Sequence, residues 1–333
     1  MNGGQRVLVV DAWQQELARG FRDPDELLVH LGLADHAGDQ AHRAAAAFPL
    51  RVPRYFADLM RHGDPADPLL RQVLPVAEEL ASAAGYVADP VGDLGVGIGG
   101  GLLQKYAGRA LLITTGACAV HCRYCFRRHY PYGADAAIRN RWQGPLEVLS
   151  KRSDIVEVIL SGGDPLTLSD DNLRALLNGL EGLPHLRRLR IHSRLPVVLP
   201  ARMHPELIEM LGRSRLAVSL VVHVNHPREV TPRLGEVLAP LRCEGIVLLN
   251  QSVLLAGVND EPVVLAELSE RLFDIGVLPY YLHQLDPVAG AAHFQVDDDR
   301  ARSLHENLSA RLPGYLVPRL VVDRPETSSK VPL

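Results

Sequence analysis

No apolar run in this sequence approaches the ~20 residues that cross a bilayer, which excludes a helical membrane span. The opening MNGGQRVLVVDAW lacks the longer apolar core and small-residue cleavage site of a secretory signal, so a cytoplasmic location is expected. Cysteine is scarce: there are four in 333 residues, and three of them crowd into one short stretch. That usage fits a reducing compartment and a ligand cluster better than a disulfide framework. Excess positive charge is missing too. A formal charge of −4 argues against a surface that coats nucleic acid, and no nucleic-acid partner is expected. What the chain does have is an ordinary globular composition, 47% apolar and 22% charged, which gives no sign of disorder and is long enough for one large domain with an appended one.

The organising stretch is Ala110 to Tyr130, ALLITTGACAVHCRYCFRRHY. Its first residues are apolar and β-branched toward Thr115, and Gly116 breaks the run, so a buried strand is expected with Cys118, Cys122 and Cys125 on the loop that follows. Three thiolates this close can hold a metal, yet structural zinc and protein-saturated iron–sulfur clusters usually take four ligands. A site one ligand short can bind something else. Structural zinc with a distant fourth ligand, or three unrelated buried cysteines, are the alternatives. The fourth thiol, Cys243, lies in the helix-like LAPLRCEGI and is expected to be a small core residue. Arg123, Arg127 and Arg128 form a basic pocket suited to a small anion.

From residue 110 the chain alternates short apolar runs with helical patterns, the signature of βα units around a parallel sheet. Strands are expected at Ala110–Thr114, Ile155–Leu160, Arg188–His192, Ala217–His223, Ile246–Asn250 and Leu278–Leu282. Six strands do not close an eight-stranded barrel, so the expected fold is α/β, a partial (βα)6 barrel open on one side. DNLRALLNGLEG, HPELIEMLGRS, PRLGEVLAPLRCEG and PVVLAELSERLFDIG read as the helices between them, the last two stopped by glycine. The expected units are a helical region over 1–95, the barrel over 96–315 and a C-terminal segment over 316–333. Within the first, Asp23-Pro24 starts a helix, DPADPLLRQVLP reads as an extended segment, and GDLGVGIGGG (Gly92 to Gly101) as a linker, with no G-K-[ST] to make it a phosphate loop. Polar residues follow the strands at Ser161–Pro165, Ser193-Arg194, His223 with Asn225, Gln251-Ser252 and His283 through Asp286, at the rim where such folds keep their chemistry. In SGGDP the two glycines allow close backbone approach to a ligand, and Asp164 is placed to accept from an ammonium group. His223 and His226 have ligand-like spacing, but among 14 histidines such a pair arises by chance.

The C-x3-C-x2-C spacing, with Tyr124 before the last cysteine, resembles the radical S-adenosylmethionine (SAM) enzymes. Taken with ILSGGDPL, RIHSRLPVVLPAR, HVNHPREV, LLNQSVLL and VVDRPETSSK, it resembles the lysine 2,3-aminomutase family over about residues 51–330. YLHQLDPVAGAAHF and the short termini look most like the bacterial branch that makes β-lysine for modification of elongation factor P (EF-P). The resemblance implies a [4Fe–4S] cluster on Cys118, Cys122 and Cys125, SAM against Ser161, Gly162, Gly163, Asp164 and His223, and pyridoxal 5′-phosphate (PLP) on Lys330. It further places Arg109, Lys105 and Gln251 at PLP, Arg127 on the substrate α-carboxylate, and Asp286 and Asp323 on the ε-ammonium of lysine.

The implied activity is an isomerase converting L-α-lysine to β-lysine by radical migration of the amino group. Implied partners are free L-lysine, an electron donor of flavodoxin or ferredoxin type, and a functional link to EF-P and its lysyl-transferring ligase. An aminomutase acting on another amino acid, or a non-catalytic zinc-binding module, are the rival readings. Fermentative members carry a C-terminal extension whose cysteines bind an intersubunit zinc, helped by a cysteine after GVND. Here Glu261 follows Asp260, so no such zinc is expected and the mode of any homo-oligomer is left open. PETSSK replaces the family's glycine-rich approach to the lysine, and a flexible Ser-Ser-Lys tail is expected to swing into the site.

Overall fold

The computed structural model describes residues 11–36, 38–133, 142–325 and 327–333. One ten-stranded sheet orders its strands as they occur in the chain: β1 (Gly97–Gly99), β2 (Leu102–Leu103), β3 (Arg109–Thr115), β4 (Glu157–Gly162), β5 (Arg188–Ser193), β6 (Ala217–Val222), β7 (Val247–Val253), β8 (Leu278–His283), β9 (Arg319–Val322) and β10 (Val331–Pro332). Neighbours from β3 to β9 run parallel, while β1–β2–β3 and β9–β10 are antiparallel edges. Helices 143–150, 170–181, 205–212, 232–243, 262–274 and 298–311 each return the chain from one parallel strand to the next. The six expected strands and the four expected helices are all present, so the (βα)6 partial barrel stands, with a seventh parallel strand added by β9. No helix of the described residues is long and apolar enough to cross a membrane.

The local reasons are ordinary. β3 buries Leu112 and Ile113 on opposite faces, whereas β5 alternates, burying Leu189 and Ile191 on one face and leaving Arg188 exposed. Ser169, Thr231 and Asp297 cap the helices that follow them through their side-chain oxygens, and Gly245 and Gly276 take the left-handed conformation past the helix ends.

Four expectations are corrected. The glycine stretch Gly92–Gly101 is no linker: β1 and the turn to β2 lie within it, and they begin the sheet. DPADPLLRQVLP is not extended: Asp67 accepts the N–H groups of Leu69 (2.8 Å) and Leu70 (3.0 Å) and caps a short helix, Pro68–Arg71, whose leucines are fully buried. Cys243 is exposed at the end of its helix and is no core residue. The stretch before the C-terminus is not a loose tail, because β10 pairs Val331 with Val322 and fixes Lys330 beside the end of β9.

Five short helices (12–18, 24–30, 39–47, 54–57 and 68–71) make the N-terminal region. Phe21, Leu27, Phe56 and Leu69 from this region pack in the same apolar cluster as Leu112, Leu160 and Ile191 of the sheet. It is therefore bolted onto the barrel, not tethered beside it. The loops after β3, β4, β5, β6, β8 and β9 leave one rim of the sheet together, and they carry the cysteines, Asp164, Arg194, His223, Asp286 and Asp323.

Candidate functional site

Cys118, Cys122 and Cys125 are all free and partly exposed on the loop leaving β3. Hydrogen bonds between loops set their positions. The Gly163 N–H donates to Thr115 O (2.6 Å), and the Asp164 N–H donates to Ala117 O (2.8 Å), so the turn after β4 clamps the backbone just before Cys118. The Arg194 guanidinium donates to Cys122 Sγ (2.8 Å). Burial and the charges of Cys125, Asp164 and Cys122 push the Cys118 thiol well up. Burial and the charge of Cys122 push Cys125 up to about 11. Three thiolates at this spot need a strongly cationic partner. Three soft thiolate donors suit zinc or an iron–sulfur cluster.

The expectation for Asp164 needs correcting. Its carboxylate offers nothing to a ligand ammonium, because it already accepts from Ser193 Oγ (2.8 Å) and from the N–H groups of Leu166 (3.0 Å), Arg194 (2.8 Å) and Leu195 (3.0 Å). It caps two turns and aims Arg194. Nor do the glycines leave room for a ligand where they lie against the loop: a Cβ at Gly163 would sit 2.3 Å from Ala117 O, and Gly162 holds φ +111° with Thr115 O at 2.9 Å. They permit the cysteine loop itself to come close.

The three arginines do not form one anion pocket. Arg123 (Nε to Glu79 Oε1, 2.8 Å; Nη1 to Phe48 O, 2.8 Å) and Arg128 (Nη2 to Glu79 Oε2, 2.8 Å) turn toward the N-terminal region. Only Arg127 turns to the rim, donating from Nε to Asp93 Oδ2 (2.7 Å) and from Nη1 to Ser161 Oγ (3.0 Å). Asp93, in the glycine stretch, is a residue that sequence reasoning missed; no spacing links it to Arg127.

At the far side, Lys330 Nζ donates to Asp323 Oδ2 (2.9 Å), while Lys105 Nζ and the Tyr106 hydroxyl (3.1 Å) donate to Asp323 Oδ1. Lys330 lies 5.8 Å from the centre of the Tyr281 ring, and Arg109 stacks 4.7 Å over Tyr106. Lys330, Asp323, Lys105 and Arg109 are therefore brought together, with Gln251 in β7 opposite Tyr281. Lys105 Nζ also donates to Val91 O (3.1 Å).

Between the two groups stand three rings, His192, His223 and His283, whose Nε2 atoms are buried without a partner, and Asp286, whose Oδ1 is likewise unpartnered. Burial keeps all three rings neutral: His223 falls to about 4, and His192 and His283 fall well below the usual imidazole range, with the positive charge of Lys330 adding to the fall. His192 and His223 meet edge to face at 5.6 Å. Such orphaned buried polar atoms are what a ligand-binding lumen leaves when its ligand is absent. His192 belongs to this set and was not singled out from the sequence. His226 does not, since its Nδ1 accepts the Arg228 N–H and caps the turn 227–229.

Burial pushes the Asp286 carboxyl up to about 7 from its ordinary 3.8, against the pull of Lys330. A folded-state value above the unfolded one stabilises the chain fully below pH 4, and that contribution is lost as pH rises through 7. Relative to Asp286→Asn, the wild type is therefore expected to lose stability between pH 4 and 7, by roughly 4 kcal/mol at most. Urea denaturation of both proteins across that range measures it; parallel curves would remove the assignment.

No family model matches the chain. Curated relatives do. An L-lysine 2,3-aminomutase of Escherichia coli (strain K12) is 49% identical over 322 residues, covering 96% of this chain and 94% of that one. The L-lysine 2,3-aminomutase of Haemophilus influenzae is 43% identical, covering 92% and 91%, and that of Clostridium subterminale is 34% identical, covering 96% and 77%. A solved radical SAM methyltransferase from Sphaerobacter thermophilus overlaps 66% of this chain and 68% of its own at 19% identity and a TM-score of 0.45. With identities well above 30% across nearly the whole of both sequences, the chain belongs to the L-lysine 2,3-aminomutase family and is an enzyme of the isomerase class.

Proposed function

We propose that this enzyme is an L-lysine 2,3-aminomutase that forms β-lysine using a [4Fe–4S] cluster, SAM and PLP. The observation that carries the reading is what the rim brings together: three thiols, Lys330 bonded to Asp323, and the buried unpartnered atoms of Asp286, His192, His223 and His283. When bound, the cluster and SAM supply a hydrogen-abstracting carbon radical, and PLP supplies a conjugated ring that shares the unpaired spin while nitrogen migrates.

The chain's residues bind, orient and shield. Cys118, Cys122 and Cys125 hold the cluster, and Ser161, Gly162, Gly163 and His223 line the SAM position. Lys330 is the amine nucleophile for PLP, with Arg109, Lys105 and Gln251 around it. Arg127, its plane fixed by Asp93 and Ser161, presents a planar fork to the substrate α-carboxylate. Asp323 holds the Lys330 ammonium in this structure; once Lys330 is engaged, that carboxylate is released for the substrate ε-ammonium, with Asp286 beside it. Two carboxylates at that end select lysine over a neutral or acidic side chain. Fixing both ends of the substrate is what aims its C3 hydrogen.

The electron comes from a donor of flavodoxin or ferredoxin type, and β-lysine serves the modification of EF-P by its ligase. The likeness of YLHQLDPVAGAAHF to that branch supports this.

The test is anaerobic reconstitution with iron, sulfide and PLP, followed by assay of β-lysine from L-lysine. Lys330→Ala is expected to lose bound PLP absorbance and to slow product formation by about a hundredfold or more. Retained PLP absorbance with full turnover would overturn Lys330's role, and a wild type without sulfide would overturn the whole reading.

A further inference from the structure

Cys122 stands at the end of a buried polar network. Arg194, 4% exposed, forks two ways: Nη1 donates to Cys122 Sγ (2.8 Å), and Nη2 donates to Gln72 Oε1 (2.6 Å) and Glu229 Oε2 (2.9 Å). Glu229, fully buried, also accepts from Gln72 Nε2 (3.1 Å) and from the N–H groups of Asn225 (3.1 Å) and His226 (3.0 Å). Asn225 Nδ2 donates to Gln72 Oε1 (3.0 Å) and to the Tyr124 hydroxyl (2.7 Å). Behind the network, Asp164 fixes the Arg194 backbone. The guanidinium is thus held from three sides and aimed at one of the three sulfurs.

We propose that Arg194 is a positioning residue that raises the reduction potential of the group bound by Cys118, Cys122 and Cys125, acting through its hydrogen bond to Cys122. The inference rests on the iron–sulfur reading above. Adding one electron from an external one-electron donor places one more negative charge across the cluster and its sulfurs. A cation fixed at hydrogen-bond distance lowers the energy of that state more than of the oxidised one. Glu229 does not cancel the effect, because its carboxylate is also spread over three other donors, Gln72 Nε2 and the N–H groups of Asn225 and His226.

The experiment uses the full chain reconstituted anaerobically with iron and sulfide, its midpoint potential read by EPR during titration with dithionite. R194Q is expected to keep its iron and sulfide while its reduction equilibrium falls at least tenfold, about 59 mV for one electron. R194K recovers part of the shift, since an ammonium keeps the charge without the fork. An unmoved midpoint in a fully loaded R194Q overturns the proposal. Should R194Q fail to load, R194Q/E229Q, which leaves no unpaired buried carboxylate, is titrated in its place with the same expectation. If the double variant folds yet holds no iron, Arg194 is scaffolding and the proposal falls. A wild type that binds no sulfide overturns the cluster reading instead, before any variant is compared.

Discussion

Gly163→Ala is expected to strip the reconstituted protein of most of its iron and sulfide and to lower its thermal midpoint. A Cβ there would lie 2.3 Å from Ala117 O and 2.9 Å from both Ala117 C and Ala117 N. No rotamer relieves this, since every one of those atoms is backbone. The two loops must part, and the two bonds that join them, Gly163 N–H to Thr115 O and Asp164 N–H to Ala117 O, lengthen together. Overpacking of this kind costs about 1–3 kcal/mol or more, and here it is applied at the residue preceding Cys118. Iron and sulfide per chain, measured beside a melting curve, separate loss of the loop from loss of the fold. Gly314→Ala, where no heavy atom lies within 4 Å and φ is not positive, is the matched control and should load as the wild type does. A fully loaded Gly163→Ala would mean that the cysteine loop does not depend on this contact.

That contact also marks where the sequence stops being readable. The six strands and four helices were legible because each is a run of apolar residues with a clear stop, such as Gly116 or Gly276. β9 was not: RLVV is four residues between Pro318 and Asp323, too short to outweigh its neighbours. β10 is two residues long and has only its partner to define it. The cysteine triad could be read from spacing, and the SGGDP turn from its place after a strand. The meaning of that turn could not, because whether glycine makes room for a ligand or for another loop depends on what arrives 46 residues earlier in the chain. Asp93 and Glu79 were missed for the same reason. Their partners, Arg127 and Arg123, lie 34 and 44 residues away, and acidic residues carry no local sign of being buried. Lys330 and Asp323 were readable only through the family likeness; the structure then supplies the bond between them.

Glu79→Gln is expected to destabilise the chain by about 3–5 kcal/mol and to loosen the N-terminal region from the barrel. The Glu79 side chain is 1% exposed and accepts from Arg123, itself completely buried, and from Arg128, 3% exposed. Its Oε1 also accepts the Val76 N–H (3.1 Å). The glutamine is nearly the same size, so no cavity forms, but one of its two acceptor oxygens becomes an NH2 that faces guanidinium donors. Two buried cations are then left without a counter-charge, which costs far more than the loss of one ordinary hydrogen bond. Because Arg123 sits between Cys122 and Tyr124, the same change releases the far side of the metal-binding loop, and iron loading should fall with stability. The exposed pair Glu147–Lys151 tests whether charge or burial is responsible: both side chains are about 70% exposed, and Glu147→Gln should leave the urea midpoint where it was. If Glu79→Gln were as stable as Glu147→Gln, the two arginines would have to find another partner, and the N-terminal region would be held by its apolar contacts alone.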